Sequence, residues 1–427
     1  MEWLPVAVML VLIVVNVPVA FAVAIGALSF FMSVQGTQPE ALIQRMVSIT
    51  HSFPMLAIPF FIFTGVAMSR GGMGRRIIRL ADVLAGHMIG GLAQINVLVS
   101  TLMAGMTCSS VAEAAMVSRV LVPEMAQKGY SKAFAVAVTA SSALVATLIP
   151  PSIGLILYGV LANVSIGRLF LAGVVPGILV SLALMAVIGV IARRRGYAPT
   201  RAERPSWREL AAAFGNAFWA LLIPFGVVAG IRFGVFTPTE AGVVAASYAT
   251  LVGLMIYREL AWRDVWAIAL ETVLLTSVVM LIISAANALG FYLAWNEIPM
   301  RLADAVLAAT QNPYVFLVMV NVFLLIAGLF MDGAMLLVLL TPLMIPLVEA
   351  LGIDPVHFGI VFILNIEIGA VTPPIGIVMY TATSIAGVSL EDYTREALPL
   401  FAALIGVLAL VTYAPTLALW LPNLVFG

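Results

Sequence analysis

Charged residues are scarce in this chain. It has 20 Lys and Arg and 20 Asp and Glu among 427 residues, 9% in all, where a soluble globular domain carries roughly 25%. With 63% hydrophobic residues and a mean hydropathy of +1.15, the chain has too little polar surface to face water, so lipid is its natural solvent. The two charge signs cancel to a net charge of zero, which leaves no basic footprint for nucleic acid. Cys108 is the only cysteine, which excludes an internal disulfide and a Cys-based metal site. His51, His87 and His357 lie far apart and fit no metal-ligand spacing.

Long apolar runs are what the chain has instead. A span needs about 20 apolar residues, and runs of that kind occur near 4–32, 53–69, 134–162, 168–192, 213–233, 238–257, 265–294, 357–386 and 396–424. The stretch from Leu4 to Met32 is too long for the apolar core of a signal peptide and has no basic flank, so it reads as a first transmembrane helix. Two further apolar stretches, about 90–127 and about 313–351, are interrupted by small and polar residues. Segments 70–88 and 295–310 mix charges with apolar residues and read as interfacial arm helices.

The basic residues set an orientation, because Lys and Arg collect in cytoplasmic loops. Arg70, Arg75, Arg76 and Arg79 follow the second span, Lys128 and Lys132 follow the first interrupted stretch, and Arg193–Arg195, Arg201, Arg204 and Arg208 fill the longest polar loop. All three groups share one side only if 90–127 enters and leaves the membrane on that side, as a re-entrant hairpin. Counting on, 313–351 re-enters from the other side, where Glu297, Asp304, Glu349 and Asp354 flank it, with Arg301 the basic exception. The count expects a cytoplasmic N-terminus and a periplasmic C-terminus.

The chain also resembles itself. Pro150-Pro151 recur as Pro373-Pro374, Pro123 and Gly129 as Pro346 and Gly352, and Gly105 as Gly328, each 223 residues on. After a slip of one residue, Gly154 and Tyr158 align with Gly376 and Tyr380. One extra span, 213–233, lies between the halves, so the repeats are inverted. The expected division is 1–195 for the first repeat, 196–235 for a basic loop and linking span, and 236–427 for the second repeat. Inverted repeats with discontinuous helices are a secondary-transporter architecture. The expected fold is therefore an all-α polytopic membrane protein with two re-entrant hairpins and two broken helices.

Proline has no N–H and clashes with the preceding turn. Each Pro-Pro pair frees backbone carbonyls that are costly in hydrocarbon unless something satisfies them, and a bound cation can do so. The hairpin tips offer further oxygen: AGMTCSSVAEAA at 104–115 carries Thr107, Ser109 and Ser110, and AGLFMDGAM at 327–335 carries Asp332 and Gly333. An acid deep in an apolar stretch is a functional candidate, which singles out Asp332, and with it Glu113 and Glu367. Arg119 either meets an acidic substrate or snorkels to the cytoplasmic face; the second is preferred. No His or Lys is near Ser109 or Ser110 in sequence and no GxSxG motif occurs, so an intramembrane hydrolase lacks its base, and no enzyme is expected.

At this point the residues resemble a family, the large membrane (permease) subunit of tripartite ATP-independent periplasmic (TRAP) transporters of the dicarboxylate type. The likeness covers essentially the whole chain. It rests on AIPFFIFTG at 57–65, SSVAEAA at 109–115, LVPEM at 121–125, GYSKAF at 129–134, IPPSIGLILYG at 149–159, IARRRGY at 191–197, FTPTEAG at 236–242 and NIEIGAVTPPIG at 365–376. The resemblance implies import of an organic acid across the bacterial inner membrane, driven by Na⁺ and by an elevator motion. It also implies a small four-helix membrane subunit and a periplasmic substrate-binding protein as partners. Carried over position by position, it implies one Na⁺ site at Thr107, Ser109, Ala146, Ile149 and Pro151. A second falls at Asp332, Gly333, Gly369, Thr372 and Pro374, and substrate contacts at Ser110, Thr147, Ser152 and Asn365. Two departures stand out: Thr107-Cys108-Ser109 replaces the usual Ser-Gly-Ser, and Ala146-Thr147 replaces a frequent Gly-Pro. A cysteine resists the positive φ that glycine accepts. The competing reading is a self-sufficient ion-coupled carrier or antiporter of a related inverted-repeat fold.

Overall fold

In the computed structural model, which describes residues 3–15, 17–34 and 38–426, no strand occurs among the described residues. The first part of the chain forms α1 (Leu4–Val14), α2 (Val19–Ser33), α3 (Pro39–Ser48), α4 (Ala57–Arg70) and α5 (Met73–Ala85). A hairpin of α6 (Gly91–Thr107) and α7 (Ser110–Gln127) follows, then a broken helix of α8 (Lys132–Ala143) and α9 (Ile153–Leu161), then α10 (Ile166–Arg195). After α11 (Trp207–Arg232) come α12 (Pro238–Leu251), α13 (Trp262–Trp295) and α14 (Ile298–Ala309). The second hairpin is α15 (Pro313–Phe330) and α16 (Gly333–Ala350); the second broken helix is α17 (Pro355–Val371) and α18 (Ile377–Ala386). The chain closes with α19 (Leu390–Tyr413) and α20 (Thr416–Phe426). Eight helical segments among the described residues are long and apolar enough to cross a membrane.

The helices start where short polar side chains can accept from otherwise orphaned N–H groups. Ser131, Ser152, Ser165, Ser206 and Ser389 do this for α8, α9, α10, α11 and α19. Thr237 and Glu240 build a reciprocal capping box at α12. Gly129 and Gly352, at φ +84 and +68, turn the chain out of each hairpin, in a backbone region that glycine enters without cost.

Both hairpins double back. Along α6, Asn96 meets Thr139 and Ser100 meets Ser142 of α8, so α6 runs alongside α8 and α7 returns to its start. Along α15, Phe316 stacks on Phe358, Asn321 bonds Asn365 and Gly328 abuts Gly369. On α16, Leu337 lies beside Gly154, which itself faces Ile363 of α17. The two broken helices are antiparallel to each other: Tyr158 near the end of α9 donates to the carbonyl of Pro355 at the start of α17, at 2.7 Å. Residues just after α18 (Gly387–Ser389) line one groove with Ser131 and Lys132 at the start of α8. The hairpins therefore open toward opposite ends of the molecule, the inversion anticipated from the repeat.

One expected span is corrected. The stretch 4–32 is not a single helix: α1 and α2 fold back on each other, and Gly26 sits so close to α1 that a Cβ there would lie 2.8 Å from the Pro5 carbonyl and 3.0 Å from Met9 Cβ. An 11-residue helix is about 16 Å long, short of the roughly 30 Å hydrocarbon core. Residues 4 and 33 thus lie at the same end, and the cytoplasmic N-terminus no longer follows from counting this stretch as one crossing. The span expected at 396–424 keeps its course along α10, with Arg195 bonded to Glu396 and Arg168 to Asn423. It is interrupted at Ala414, which is pushed out of helical geometry (φ −120°, ψ 76°) ahead of Pro415.

Ionic contacts fasten the first arm helix, α5. Arg76 lies over the Tyr257 ring at 3.6 Å and bonds Glu259 at 2.6 Å. Burial alone would raise the Glu259 carboxyl, but hydrogen bonds from Arg76 and Arg75 outweigh it and hold the group below its ordinary range. Arg201 in the linker after α10 binds both Asp82 of α5 and Glu209 of α11.

Candidate functional site

The two hairpin tips are built alike. Thr107 ends α6, Cys108 takes a left-handed conformation at φ +53, and Ser109 caps α7, its Oγ accepting from the Ala112 N–H at 3.5 Å. Cysteine thus adopts the turn for which glycine is the easier residue. In the second tip Asp332 occupies the position of Ser109, and its Oδ1 accepts from the Ala334 N–H at 2.9 Å to cap α16. A helix N-terminus carries partial positive charge. Asp332 therefore has a backbone partner that a search for nearby Lys or Arg could not reveal.

Each tip rests on a broken helix. A Cβ at Gly105 would lie 2.9 Å from the Pro150 carbonyl and 3.3 Å from Pro151 Cδ, so the end of α6 packs directly on the first break, where Ala146, Thr147, Ile149 and Pro151 lie. In the second repeat Gly328 and Gly369 touch backbone to backbone, a Cβ on Gly369 falling 2.6 Å from Gly328 Cα. The Gly369 carbonyl accepts from the Thr372 N–H at 3.0 Å, and Thr372 Oγ1 donates to the Ile368 carbonyl at 2.6 Å. The carbonyls of Ala370 and Thr372 converge on Gly376, 2.6 and 2.7 Å from where its Cβ would be. Both Pro-Pro bonds are cis. The first pair is buried, whereas Pro374 is exposed.

Unpaired oxygen collects here. Thr107 Oγ1 is buried without a hydrogen-bond partner, an orphan that fits a hard cation ligand. Glu113 is fully buried beside Thr107 and Ser100, and neither of its carboxylate oxygens has a partner. Glu367, on α17, reaches both repeats: it lies beside Ser110 of the first tip, Thr147 of the first break and Asp332 of the second tip. Its Oε1 is 3.8 Å from the Cβ position of Gly333, and its Oε2 is buried without a partner.

The structure thus gathers Ser110, Thr147, Asp332, Gly333 and Glu367 at one locus, with Thr107, Ser109 and Pro151 on the first tip and break and Thr372 and Pro374 on the second break. Other expected residues go elsewhere. Asn365 turns its amide to Asn321 of α15 at 2.6 Å, and Asn321 in turn bonds Thr412 of α19 at 3.0 Å, a cross-brace between helices. Ser152 caps α9 through the Leu155 N–H. Arg119 is exposed, as snorkelling requires. Sequence reasoning missed Tyr393, whose hydroxyl donates to the Val371 carbonyl at 2.7 Å; it lies outside every motif.

Comparison with known proteins places these features. The family model for the tripartite ATP-independent periplasmic transporter, DctM component, matches residues 6–417. The chain is 38% identical over 416 residues to the sialic acid TRAP transporter large permease protein SiaM of Vibrio cholerae, covering 97% of each chain. It is 38% identical over 384 residues to the C4-dicarboxylate TRAP transporter large permease protein DctM of Pseudomonas aeruginosa, covering 90% of each. Identity to the 2,3-diketo-L-gulonate TRAP transporter large permease protein YiaN of Escherichia coli is 36%, over 95% of each. Among solved structures the YdaH transporter of Alcanivorax borkumensis shares the fold, with a TM-score of 0.65 at 14% identity, covering 89% of this chain and 88% of that one.

Proposed function

We propose, from the premise that this chain belongs to the DctM-component family of tripartite ATP-independent periplasmic transporters, that it carries an organic acid across the bacterial inner membrane together with Na⁺. Membership makes the chain a polytopic membrane permease component of a TRAP transporter and not an enzyme. Sialic acid, C4-dicarboxylates and diketogulonate, named for the relatives, all carry a carboxylate, and that is the substrate class proposed here.

One observation carries the coupling to a cation. Glu367 Oε1 lies 3.8 Å from the Cβ position of Gly333, the residue after Asp332 at the second tip, and no Lys or Arg occurs from residue 302 to 394. A carboxylate substrate approaching two carboxylates is repelled, and repulsion is strong where water is sparse. Cations bound at the tips remove that barrier, while the N-termini of α7 and α16 favour the substrate's negative charge. Binding of the acid then depends on prior binding of Na⁺, which is the basis of symport. Two opposed hairpins on broken helices suit an elevator displacement of the site past the outer helices α2, α4, α12 and α13. The proposed partners are a small four-helix membrane subunit and a periplasmic receptor that delivers the acid.

The test is uptake of a panel of radiolabelled organic acids into proteoliposomes. The expected result is uptake that needs a Na⁺ gradient, the small subunit and the loaded receptor. Uptake by this chain alone, driven by H⁺ and indifferent to Na⁺, would overturn the reading.

A further inference from the structure

We infer that Gly65 of α4 and Gly290 of α13 are alternating seats on the outer helices. The first is taken here by the tip of the first hairpin; the second stands open for the tip of the second hairpin. The inference rests on the elevator displacement proposed above and says which contacts that displacement exchanges.

The two glycines are repeat partners. The spacing of 223 residues between the hairpins lengthens to 225 at the outer helices: α4 ends at Arg70 and α13 at Trp295, and α5 and α14 begin at Met73 and Ile298. Gly72 and Glu297, the residues before those two helices, are both left-handed, at φ +73 and +53. Such a conformation is uncommon outside glycine, so the shared turn fixes the register and pairs Gly65 with Gly290. Their surroundings differ. Gly65 lies against the Met106 carbonyl at the end of α6, and any Cβ there would overlap that oxygen. Pro224 of α11 closes on the same tip, its Cβ 2.9 Å from the Cβ position of Gly105. At Gly290 a Cβ would meet nothing within 4 Å. Leu329, 223 residues after Met106, is only partly buried, and Phe330 beside it is 56% exposed. The short legs beyond the breaks repeat the difference. Leu155 and Tyr158 of α9 are 0% exposed, whereas Ile377 and Tyr380 at the matching places on α18 are 37% and 42% exposed.

The levels of the seats fit a translation. Arg70, at the end of α4, pairs with Glu271 near the start of α13 at 2.6 Å, whereas Gly290 lies near the far end of α13. At 1.5 Å per residue the two seats are roughly 20 Å apart along the bundle. Seating one tip at one level and the other tip at the other level gives the two end states that an inverted repeat supplies. Packed interfaces switch between discrete arrangements rather than deforming continuously, so two mutually exclusive close contacts define both ends of the stroke. Glycine suits both seats, because a carbonyl at a helix end can approach a Cα that bears no side chain.

The experiment is cross-linking of cysteine pairs by a short bis-maleimide, in the full chain with its small subunit in nanodiscs and in a Cys108→Ala background. Phe61→Cys with Phe170→Cys reports the present arrangement, since those rings of α4 and α10 lie 6.3 Å apart. Gly290→Cys with Leu329→Cys reports the second seat. Adding Gly65→Leu denies the first tip its seat. It should slow the first cross-link and speed the second, each by roughly tenfold, the shift that overpacking one state produces. Gly65→Ala carries this arm if the leucine variant does not fold. Gly290→Leu meets open space here, so it should keep the wild-type thermal midpoint and the small subunit, and leave the first cross-link as fast or faster. If Gly65→Leu slows the first cross-link and the second never forms, the second seat is overturned and the elevator displacement stands. If neither cross-link responds and the second is absent, both are overturned. A second cross-link that forms equally well with and without the Gly65 substitution would overturn the alternation. Loss of the small subunit from Gly290→Leu would assign the open face to that partner and also overturn it.

Discussion

The hydroxyl of Tyr393 donates to the carbonyl of Val371 at 2.7 Å, at the last residue of α17 before the second break. After the one-residue slip the matching position, 222 residues earlier, is Leu171, which has no hydroxyl, and the carbonyl of Leu148 is met instead by the close approach of Gly173. The two breaks are therefore finished differently: one carbonyl is held by a phenol, the other only packed against. Tyr393→Phe keeps the ring and removes the donor. It should cost about 1–3 kcal/mol, the usual penalty for stranding a buried acceptor, and lower the thermal midpoint in detergent. A midpoint equal to that of the wild type would show that the bond is dispensable.

A second prediction concerns the crossing of α15 and α17. Gly328 and Gly369 leave no space for a methyl group, and small residues are what allow membrane helices to pack this closely. Gly369→Ala should force the helices apart and cost about 1–3 kcal/mol through overpacking. Gly215→Ala, where a Cβ would meet nothing within 4 Å, serves as the control and should leave the midpoint unchanged or slightly higher. Equal midpoints for Gly369→Ala and the wild type would contradict the close contact.

Much of this was legible in the sequence because breaks in membrane helices leave residues that resist disguise. Pro150-Pro151, Pro373-Pro374, Gly129 and Gly352 mark where the helix ladder fails, and the 223-residue spacing pairs them. The fold-back of residues 4–33 was not legible, since hydropathy stays uniformly high across the turn and Pro18 is a weak sign by itself. Nor could the sequence place Glu367 against Ser110 and Thr147. Those residues belong to different repeats, and only the antiparallel docking of the two broken helices brings them together. The cap at Asp332 was readable in principle, because an Asp directly before a helical run is a common N-cap, but the acid drew attention for its charge instead.

The hairpins open to opposite ends, which predicts a labelling pattern. Single cysteines at Lys128 and Leu351, in a Cys108→Ala background, should react with a membrane-impermeant maleimide from opposite faces of right-side-out and inverted vesicles. Reaction of both from one face would mean that at least one of the interrupted stretches crosses the membrane.

The last prediction separates the charge of Asp332 from its role as a cap. Asparagine caps a helix about as well as aspartate, and its side-chain oxygen can keep the bond to the Ala334 N–H. Asp332→Asn should therefore fold, assemble and reach the membrane at wild-type levels. What it loses is the negative charge beside Glu367, so the Na⁺ concentration for half-maximal uptake should rise by about tenfold or more. Thr107→Ala removes one neutral, unpartnered hydroxyl and should shift that concentration less. Asp332→Ala removes both functions and should lower stability as well, by about 1 kcal/mol for the lost cap. Uptake measured against Na⁺ in proteoliposomes, alongside thermal midpoints, distinguishes the three. If Asp332→Asn behaves as wild type while Asp332→Ala is merely less stable, the residue is a helix cap and takes no part in ion binding.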